Sequence, residues 1–469
     1  MERLVIVSNR VPLPRQRGTQ AGGLAVALRD VFGKAEGLWF GWSGEVTDQT
    51  SGELRFTRAG RMTYAVMDLG REDYERFYNG FSNACLWPLL HYRLGLLDFH
   101  REDYHGYMAV NRAMAAALKP LLRPWDRIWV HDYHLIPLGQ ELRKLGVENP
   151  IGFFLHTPFP PADLFESLPA HESLGECFAS YDLVGLQTER DRRCFHGFVV
   201  RSLGGEVRAD GKFEVFGRHS RMGAFGVGID AAAFAELAAE SGSGDETVRL
   251  KESLAGRQLA IGVDRLDFSK GLPSRFRAYG QLLERWPEHR SKVTYLQIAP
   301  HSRGEIAAYR TLRRELEQIA GRINGKHAEF DWQPLRYLNK ALTRPVLAGF
   351  YRLSRIGLVT PLRDGMNLVA KEYVAAQPPQ DPGVLILSRF AGAAESLTAA
   401  LLVNPFDADS MADAMHAALV MPFEERHARW QAMMQQLKAD GAAWWAHRFL
   451  ATLDAASRDA HPLSPTGTQ

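Results

Sequence analysis

The sequence predicts an α/β protein with two doubly wound parallel sheets, and three observations support this fold class. Short apolar runs alternate with longer amphipathic segments along nearly the whole chain. These short runs are apolar on both faces, as in strands that helices cover on each side. The length of 469 residues exceeds the roughly 100–200 residues of a usual single domain. Such strand and helix alternation is typical of Rossmann-like domains.

Eight apolar runs are predicted strands. They are Leu4–Ser8, Ile128–His131, Ile151–Leu155, Leu183–Leu186, Leu259–Val263, Val293–Ile298, Ile356–Thr360 and Val384–Ser388. Five segments have apolar residues at helical spacing and are predicted helices. They are Tyr107–Leu118, Glu189–Leu203, Leu272–Arg285, Glu305–Ile319 and Met411–Leu419.

A change in composition near residues 229–247 separates the two sets of strands. Sequence rich in Ala and Glu runs there into Ser241-Gly-Ser-Gly-Asp245. We therefore predict an N-terminal domain over 1–235, a C-terminal domain over 236–440, and a cleft between them. We expect a last helix over 441–456 to pack back on the first domain and a tail over 457–469, disordered from His461 to Gln469.

Composition excludes several classes of protein. With 56 basic and 54 acidic residues the formal net charge is +2, so neither a broad nucleic-acid surface nor a membrane-binding surface is expected. Three cysteines are too few for a disulfide framework or a zinc site. The pattern of the amino terminus predicts a strand rather than a signal peptide. No apolar stretch reaches the roughly 18–20 residues of a membrane helix. We expect a cytoplasmic protein.

Polar, charged and glycine residues follow almost every predicted strand. The segments are Asn9-Arg10, His131-Asp-Tyr-His134, His156-Thr-Pro-Phe-Pro160, Asp264-Arg-Leu-Asp-Phe-Ser-Lys270, Pro300-His-Ser-Arg303 and Pro361-Leu-Arg-Asp364-Gly-Met-Asn367. Ligands of open α/β sheets bind beyond the carboxyl ends of the strands. One such segment alone would be a turn or a helix cap, but six together predict a ligand site.

Several of these residues suit phosphate. Glycines that open a helix expose backbone N–H groups to an anion, and guanidinium and ammonium groups neutralise it. The candidates are Gly22 and Gly23, Arg265 and Lys270, and Arg10 and Arg303. For each of them the alternative is an ordinary turn or a solvated surface residue.

The run Arg363-Asp-Gly-Met-Asn-Leu-Val-Ala-Lys-Glu372 carries a more specific pattern. A helix that starts near Asp364 would place Asp364, Leu368 and Glu372 on one face at four-residue spacing. Two carboxylates suit sugar hydroxyls, and the helix start suits phosphate. Asp364 could instead cap the helix, but capping does not explain Glu372.

Three other patterns resemble known sites without meeting their requirements. Gly226-Val-Gly228-Ile-Asp-Ala231 approximates a dinucleotide fingerprint but ends the first domain, and Gly321-Arg-Ile-Asn-Gly325-Lys326 lacks the spacing of a P-loop. His131 and His134 lie three residues apart with no third ligand at suitable spacing. We therefore predict no cofactor and no metal.

A series of longer motifs resembles the trehalose-6-phosphate synthase family of retaining glycosyltransferases, in order from about residue 3 to residue 455. The motifs are Val7-Ser-Asn-Arg10, Ala21-Gly-Gly-Leu24, Trp39-Phe-Gly-Trp42-Ser-Gly, Asn83-Ala-Cys-Leu-Trp87-Pro, His131-Asp-Tyr-His134, Gly152-Phe-Phe-Leu-His156, Asp264-Arg-Leu-Asp-Phe-Ser-Lys-Gly271, Ile298-Ala-Pro-His-Ser-Arg303, Gly321-Arg-Ile-Asn-Gly325 and Pro361 to Tyr373.

The resemblance implies a glycosyltransferase-B fold and assigns roles to matching positions. It implies that glucose 6-phosphate is held by Arg10, Tyr78, Trp87, Asp132 and Arg303. It implies that the nucleotide sugar is held by Gly22, Gly23, Arg265, Lys270, Leu342, Asp364, Leu368, Val369, Ala370, Lys371 and Glu372. Asp364, His156, Arg265 and Lys270 would then be the catalytic set, with Asp364 and His156 on the donor glucose and Glu372 on the ribose.

The activity implied by the resemblance is transfer of glucose from a nucleotide sugar, with UDP-glucose expected, to glucose 6-phosphate. Leu342 stands where the family has an aromatic residue near the base, so uridine over guanosine or adenosine stays open. Two alternatives remain: a sibling transferase with another phosphorylated polyol or pseudo-sugar as acceptor, and a non-catalytic sugar-phosphate sensor. The sequence also leaves open whether the chain forms a homo-oligomer.

Overall fold

The chain forms two compact units in the computed structural model, which describes residues 3–14, 36–300 and 307–460. The first unit comprises Met1–Gly226 and Ala443–Gln469, and the second comprises Val227–Ala442. The boundary thus lies at Gly226 rather than at the predicted residue 235, because the helix Ala231–Ser241 packs against the helix Arg344–Leu353 of the second unit.

The first unit contains a ten-stranded sheet with the order β3-β4-β2-β1-β5-β6-β7-β10-β9-β8. Its strands are β1 (Leu4–Arg10), β2 (Gly37–Thr47), β3 (Arg55–Ala59), β4 (Met62–Gly70), β5 (Arg127–His131), β6 (Ile151–Phe154), β7 (Leu183–Leu186), β8 (Glu206–Val207), β9 (Lys212–Val215) and β10 (Arg218–Ala224). The central strands are parallel, whereas β3 pairs antiparallel with β4, and β9 pairs antiparallel with β8 and β10. The predicted parallel sheet is confirmed for the central strands, and antiparallel pairs extend it at both edges.

The second unit contains a six-stranded sheet with the order β13-β12-β11-β14-β15-β16, and every pair in it is parallel. Its strands are β11 (Gln258–Val263), β12 (Val293–Ile298), β13 (Leu335–Leu338), β14 (Ile356–Val359), β15 (Val384–Ser388) and β16 (Leu401–Val403). The central strands β11, β12, β14 and β15 are buried almost throughout. This agrees with helices on both faces.

Helices cover both sheets, and the predicted α/β class is confirmed. In the first unit the α-helices are Arg71–Asp73, Trp87–Leu90, Arg101–Leu118, Leu138–Lys144, Ala162–Phe165, His171–Phe178 and Glu189–Arg201, with a π-helix at Tyr74–Leu86. In the second they are Ala231–Ser241, Asp245–Leu254, Leu272–Arg285, Ala307–His327, Arg344–Leu353, Leu368–Ala376, Ala408–Val420 and Phe423–Ala439. Short 3-10 turns lie at Leu94–Leu96, Lys119–Leu121, Tyr133–Leu135, Phe268–Lys270, Pro287–His289 and Gly392–Glu395.

The last helix, Ala442–Ala460, packs on the sheet of the first unit. The Phe449 ring stacks on Trp129 with centroids 4.5 Å apart and an interplanar angle of 10°. A Cβ at Gly152 would lie 2.8 Å from the Phe449 ring, so this glycine lets the helix approach β6 closely. The helix continues through residues 457–460, which were predicted as tail, and residues 461–469 lie outside the described part of the chain.

The helix predicted to start near Asp364 begins instead at Leu368, with Asn367 as its N-cap. Asp364 lies before the helix and forms an isolated parallel bridge with Ala391. The predicted helical face containing both Asp364 and Glu372 therefore does not exist, and the alternative of Asp364 as the cap is also wrong. In the described part of the chain, no helix combines the length and apolar character that a membrane crossing requires.

Candidate active site

The predicted residues of the first unit follow neighbouring parallel strands. Ser8 of β1 pairs with His131 of β5, and His131 pairs with Phe154 of β6. Arg10 ends β1, Asp132 follows β5 and His156 follows β6. The carboxyl ends of three adjacent strands thus bring these side chains to one edge of the sheet, which is where open α/β sheets bind ligands.

Arg10 is exposed at the end of β1 and lies over the backbone of Gly44. A Cβ at Gly44 would lie 2.6 Å from Nε and 2.8 Å from Cζ of Arg10. Gly44 also has a φ of +93°, a conformation that L-residues rarely adopt. Gly44, within the Trp42-Ser-Gly44 motif, therefore leaves free the space that the Arg10 guanidinium occupies.

Asp132 holds the backbone that leads to His156. Its φ is +76°, and its Oδ1 accepts a hydrogen bond from the His156 backbone N–H at 3.2 Å. His131, which is fully buried, lies with its Nδ1 3.0 Å from Nε2 of His156. Burial lowers the pKa of His156 to about 3 and holds the pKa of His131 well below its usual value. Both rings are therefore neutral at pH 7, and His156 can offer a sugar hydroxyl only neutral hydrogen bonds.

Nothing in the sequence indicated that His131 contacts His156. The two residues lie 25 positions apart, and His131 stood out as the start of a strand-end segment and as half of an incomplete zinc pattern. The register of β5 against β6 brings the two rings together. Residue spacing along one strand could not have shown this contact.

Tyr78 and Trp87 lie in the helical segment after β4. Tyr78, on the π-helix Tyr74–Leu86, stacks on His134 with centroids 5.8 Å apart and an angle of 11°. Trp87 is buried and lies 5.7 Å from the Tyr133 ring. These ring contacts connect the segment to the turn that follows Asp132, so the aromatic residues assigned to the acceptor belong to the same local cluster as Asp132.

Lys270 and Asp364 form a close charged contact in the second unit. Lys270 Nζ lies 2.5 Å from Asp364 Oδ2, and the two side chains are 11% and 15% exposed. The turn carrying Lys270 is fixed against the turn carrying Asp364, because Leu362 N–H donates to the Ser269 carbonyl at 2.8 Å. Gly271 follows Lys270 with a φ of +67°. The sequence predicted both residues as site candidates but not their contact.

The helix Leu368–Ala376 begins next to this ion pair. Asn367 Nδ2 donates to Asp364 Oδ2 at 2.9 Å, and Asn367 Oδ1 accepts from the Ala370 N–H at 3.3 Å. One amide thus caps the helix and orients the carboxylate. The N–H groups of Leu368 and Val369 precede the first intrahelical hydrogen bond and suit an anion.

Glu372 and Lys371 have perturbed pKa values on the same helix. Burial raises the pKa of Glu372 to about 7, although Arg344 acts in the opposite direction. Burial lowers the pKa of Lys371 to about 8, and its Nζ donates to the Val227 carbonyl at 2.7 Å. The Lys371 side chain therefore fixes the helix Leu368–Ala376 to the backbone at Val227. Only the backbone of Lys371 remains a candidate for ligand binding.

The apolar candidates of the second unit pack against its core. Leu342, Leu368 and Val369 are partly buried against the hydrophobic cluster, and Ala370 is fully buried in it. Leu342 has no polar side-chain atom, so a base near this position would meet an aliphatic surface.

Asp264 has a structural partner that the sequence did not reveal. Arg275, fully buried, donates from Nη1 to Asp264 Oδ2 at 2.5 Å and from Nε to Thr360 Oγ1 at 2.9 Å. Its Nη2 donates to the Lys270 carbonyl at 3.3 Å. Arg275 thus joins the ends of β11 and β14 beneath Lys270. In the sequence it is one of many arginines on an amphipathic helix, and nothing distinguished it.

Of the four remaining candidates, one lies within the described residues and three lie outside them. Arg265 is exposed directly after Asp264. Gly22, Gly23 and Arg303 lie outside the described residues.

The rejected glycine patterns have structural explanations. A Cβ at Gly228 would lie 1.9 Å from the Asp440 carbonyl oxygen, so this glycine permits a close backbone approach. Asp230 accepts from the Ala233 N–H and caps the helix that follows. Gly321 and Gly325 both lie within the helix Ala307–His327. Neither pattern forms a nucleotide-binding loop.

Comparisons with known proteins give one consistent result. The profile of glycosyltransferase family 20 matches residues 2–455. The chain is 49% identical to the trehalose-6-phosphate synthase of Sinorhizobium fredii over 460 residues, covering 97% of this chain and 99% of the relative.

Solved structures of similar proteins cover nearly the whole chain. One is an α,α-trehalose-phosphate synthase (UDP-forming) from Burkholderia xenovorans in complex with glucose-6-phosphate, with TM-score 0.93 and 48% identity over 96% of this chain and 100% of that one. Another is the E. coli protein bound with UDP-2-fluoro glucose, with TM-score 0.91 and 46% identity over 96% and 99% of the two chains. The predicted glycosyltransferase-B fold is confirmed, and the chain belongs to glycosyltransferase family 20.

Proposed function

We propose that this chain is a retaining glucosyltransferase that moves glucose from UDP-glucose to glucose 6-phosphate and yields trehalose 6-phosphate and UDP. The observation that carries the proposal is the Lys270–Asp364 ion pair at the carboxyl edge of the second sheet, beside a helix start. A relative of 46% identity is bound with UDP-2-fluoro glucose, and one of 48% identity is in complex with glucose-6-phosphate.

The second unit supplies donor chemistry. A diphosphate needs positive charge and backbone donors, which Lys270, Arg265 and the N–H groups of Leu368 and Val369 provide. Asp364 is held by Lys270 and Asn367 and suits the hydroxyls of the donor glucose. Glu372, four residues into the helix that starts at Leu368, suits the two ribose hydroxyls.

The first unit supplies acceptor chemistry. Arg10 offers a guanidinium fork for the terminal phosphate, and the family resemblance adds Arg303 to it. Asp132, Tyr78 and Trp87 would contact the sugar, with the aromatic faces packing against its apolar side. His156 remains assigned to the donor glucose, and its neutral imidazole suits a hydroxyl rather than a phosphate.

The carboxylates at these strand ends are poorly suited to double displacement. Retention through a covalent intermediate requires a carboxylate nucleophile on the face opposite the leaving group. Asp364 is engaged by an ammonium and an amide, and Asp132 accepts a backbone N–H. We therefore favour attack on the same face as departure. The C1–oxygen bond to the diphosphate breaks, the acceptor oxygen bonds C1, and the diphosphate oxygen takes the acceptor proton. Lys270, Arg265 and the helix start would stabilise the departing charge.

The test is a screen of purified chain against UDP-, GDP- and ADP-glucose, each with glucose, glucose 6-phosphate and other phosphorylated polyols. Release of nucleoside diphosphate is followed, and the product is identified by mass and NMR. We expect an α,α-linked disaccharide phosphate from UDP-glucose and glucose 6-phosphate. Equal use of unphosphorylated glucose would contradict the phosphate assignment, and binding without turnover would indicate a sensor.

A further inference from the structure

A cluster of potential metal ligands lies at the amino-terminal edge of the second sheet, away from the carboxyl-edge site. The turn Pro287–His289 precedes β12, and the helix Ala408–Val420 packs against the helix Leu272–Arg285 that leads to this turn. Within the described residues, ligand atoms of Glu288, His289 and His416 all lie within 4.8 Å of one another. The carboxyl-edge residues described above have no part in this cluster.

The spacing of the two imidazoles is close to that of a metal site. His289 Nε2 lies 2.9 Å from His416 Nδ1. Two nitrogens on one tetrahedral zinc ion are separated by about 3.3 Å, because each metal–nitrogen bond is about 2.0–2.1 Å. A shift of a few tenths of an ångström would therefore admit an ion. The Glu288 side chain is exposed and can rotate to supply an oxygen ligand.

The two rings are held in place by their surroundings. His289 is 8% exposed, and its backbone N–H donates to the Trp286 carbonyl at 3.1 Å. The Trp286 ring stacks on His416 with centroids 4.5 Å apart and an angle of 9°. Only a small loss of side-chain freedom would accompany binding.

The charges around the cluster partly balance one another. Arg285 lies over the Trp286 ring at 4.4 Å, but it is paired with Asp413 at 2.7 Å. Lys292 adds a positive charge near His289, while Glu288 contributes negative charge directly to the ligand set. A divalent ion would therefore bind one carboxylate, that of Glu288, and the nearby Arg285 guanidinium is already paired with Asp413.

We propose that Glu288, His289 and His416 form a structural binding site for a borderline divalent metal, with Zn²⁺ as the ion that fits best. Two imidazoles and one carboxylate match the ligand preferences of zinc, whereas Mg²⁺ and Ca²⁺ prefer oxygen. The ion would join the turn Pro287–His289 to the helix Ala408–Val420. This proposal is independent of the function proposed above.

The experiment titrates the metal-free full chain with Zn²⁺, and with Mg²⁺ as the comparison ion. Binding is followed by competition with a chromophoric chelator, and the thermal unfolding midpoint is recorded at each concentration. We expect one saturable Zn²⁺ site and, because the ion binds the folded chain, a rise in the midpoint of a few degrees. Mg²⁺ should do neither.

Variants of two proposed ligands test whether these residues bind the Zn²⁺ ion. His416→Gln and Glu288→Gln should each weaken Zn²⁺ binding at least tenfold and remove the rise in midpoint. The exposed His447→Gln is the control and should behave like the native chain. These two ligand positions are not fully buried, so both variants are expected to fold; unchanged Zn²⁺ affinity in either one, or no saturable binding by the native chain, would overturn the proposal.

Discussion

The two units present different kinds of strand-end site. In the second unit close ion pairs dominate, as between Lys270 and Asp364 and between Arg275 and Asp264. In the first unit uncharged rings dominate: His131 and His156 share one hydrogen bond, and Tyr78 and Trp87 pack against other rings. The charged candidates of the first unit are Arg10, which is exposed, and Asp132, which is half-buried.

This difference indicates how each unit would respond to substitution. An ion pair that is mostly desolvated leaves an uncompensated charge when one partner is removed, and this costs more than the pair contributes. Neutral aromatic packing instead loses contact area. We therefore expect the largest functional losses in the second unit and smaller, acceptor-specific losses in the first.

The largest expected effect is that of Asp364→Asn. This change removes the carboxylate from the donor glucose and leaves Lys270 without its charge partner at 2.5 Å. Truncating one partner of a desolvated pair costs about 2–5 kcal/mol, so kcat/KM should fall roughly 30-fold or more. Steady-state kinetics with UDP-glucose and glucose 6-phosphate measures the effect.

Glu284→Gln is the matched control for this prediction. Glu284 pairs with Lys326 at 2.6 Å, but both side chains are about half exposed. An exposed pair contributes about 0–1 kcal/mol, so activity should stay within about twofold of native. An Asp364→Asn variant as active as this control would contradict the assigned role of the ion pair.

A smaller effect is expected from pH at Glu372. Burial raises the pKa of Glu372 to about 7, and the ionised carboxylate is the better acceptor for ribose hydroxyls. UDP should therefore bind more tightly as pH rises through 7. If only the ionised form binds, the gain between pH 6 and pH 8 is about 10-fold for a pKa of about 7.

Calorimetric titration of UDP at several pH values checks this prediction. The UDP affinity of Glu372→Gln should change with pH only through the titration of UDP itself. A native chain whose UDP affinity has the same pH profile as this variant would place Glu372 away from the nucleotide.

The smallest expected effect is that of Gly44→Ala. The new Cβ would displace the Arg10 guanidinium, which lies 2.6 Å away at Nε, and glucose 6-phosphate affinity should fall a few-fold. Gly60→Ala is the control, because Gly60 also has a positive φ, of +59°, but has no atom within 4 Å of a built Cβ. Both changes strain the backbone. Equal affinity in the two variants would show that Arg10 does not hold the phosphate.

The sequence predicted eight strands that are buried on both faces, but it missed other strands, of which β2 and β4 are also largely buried. All eight predicted strands occur with ends within two residues. The strand β2 (Gly37–Thr47) was missed, since glycines at 37, 41 and 44 interrupt its apolar pattern. The strands β9 and β10, which lie near the edge strand β8, contain several polar residues and resemble loops in the sequence.

At the site, the sequence predicted residue types at strand ends but not their contacts. It placed Lys270 and Asp364 at two separate ends, and only the order of β11 beside β14 brings them together. The helix start was misplaced because Asp364 was taken as its first residue. Asn367, with a φ of +77°, directly precedes the helix, and its side chain provides the cap that was considered for Asp364.

In the proposed function the second unit binds the nucleotide and the first unit binds the sugar phosphate. Calorimetry on two variants, Lys270→Met and Arg10→Met, separates these two roles, with UDP and glucose 6-phosphate each titrated into both. We expect Lys270→Met to weaken UDP binding at least 10-fold and to leave glucose 6-phosphate affinity within about twofold, and we expect Arg10→Met to do the reverse. Equal losses for both ligands in either variant, or the opposite pattern, would show that the two roles are not divided between the units in this way.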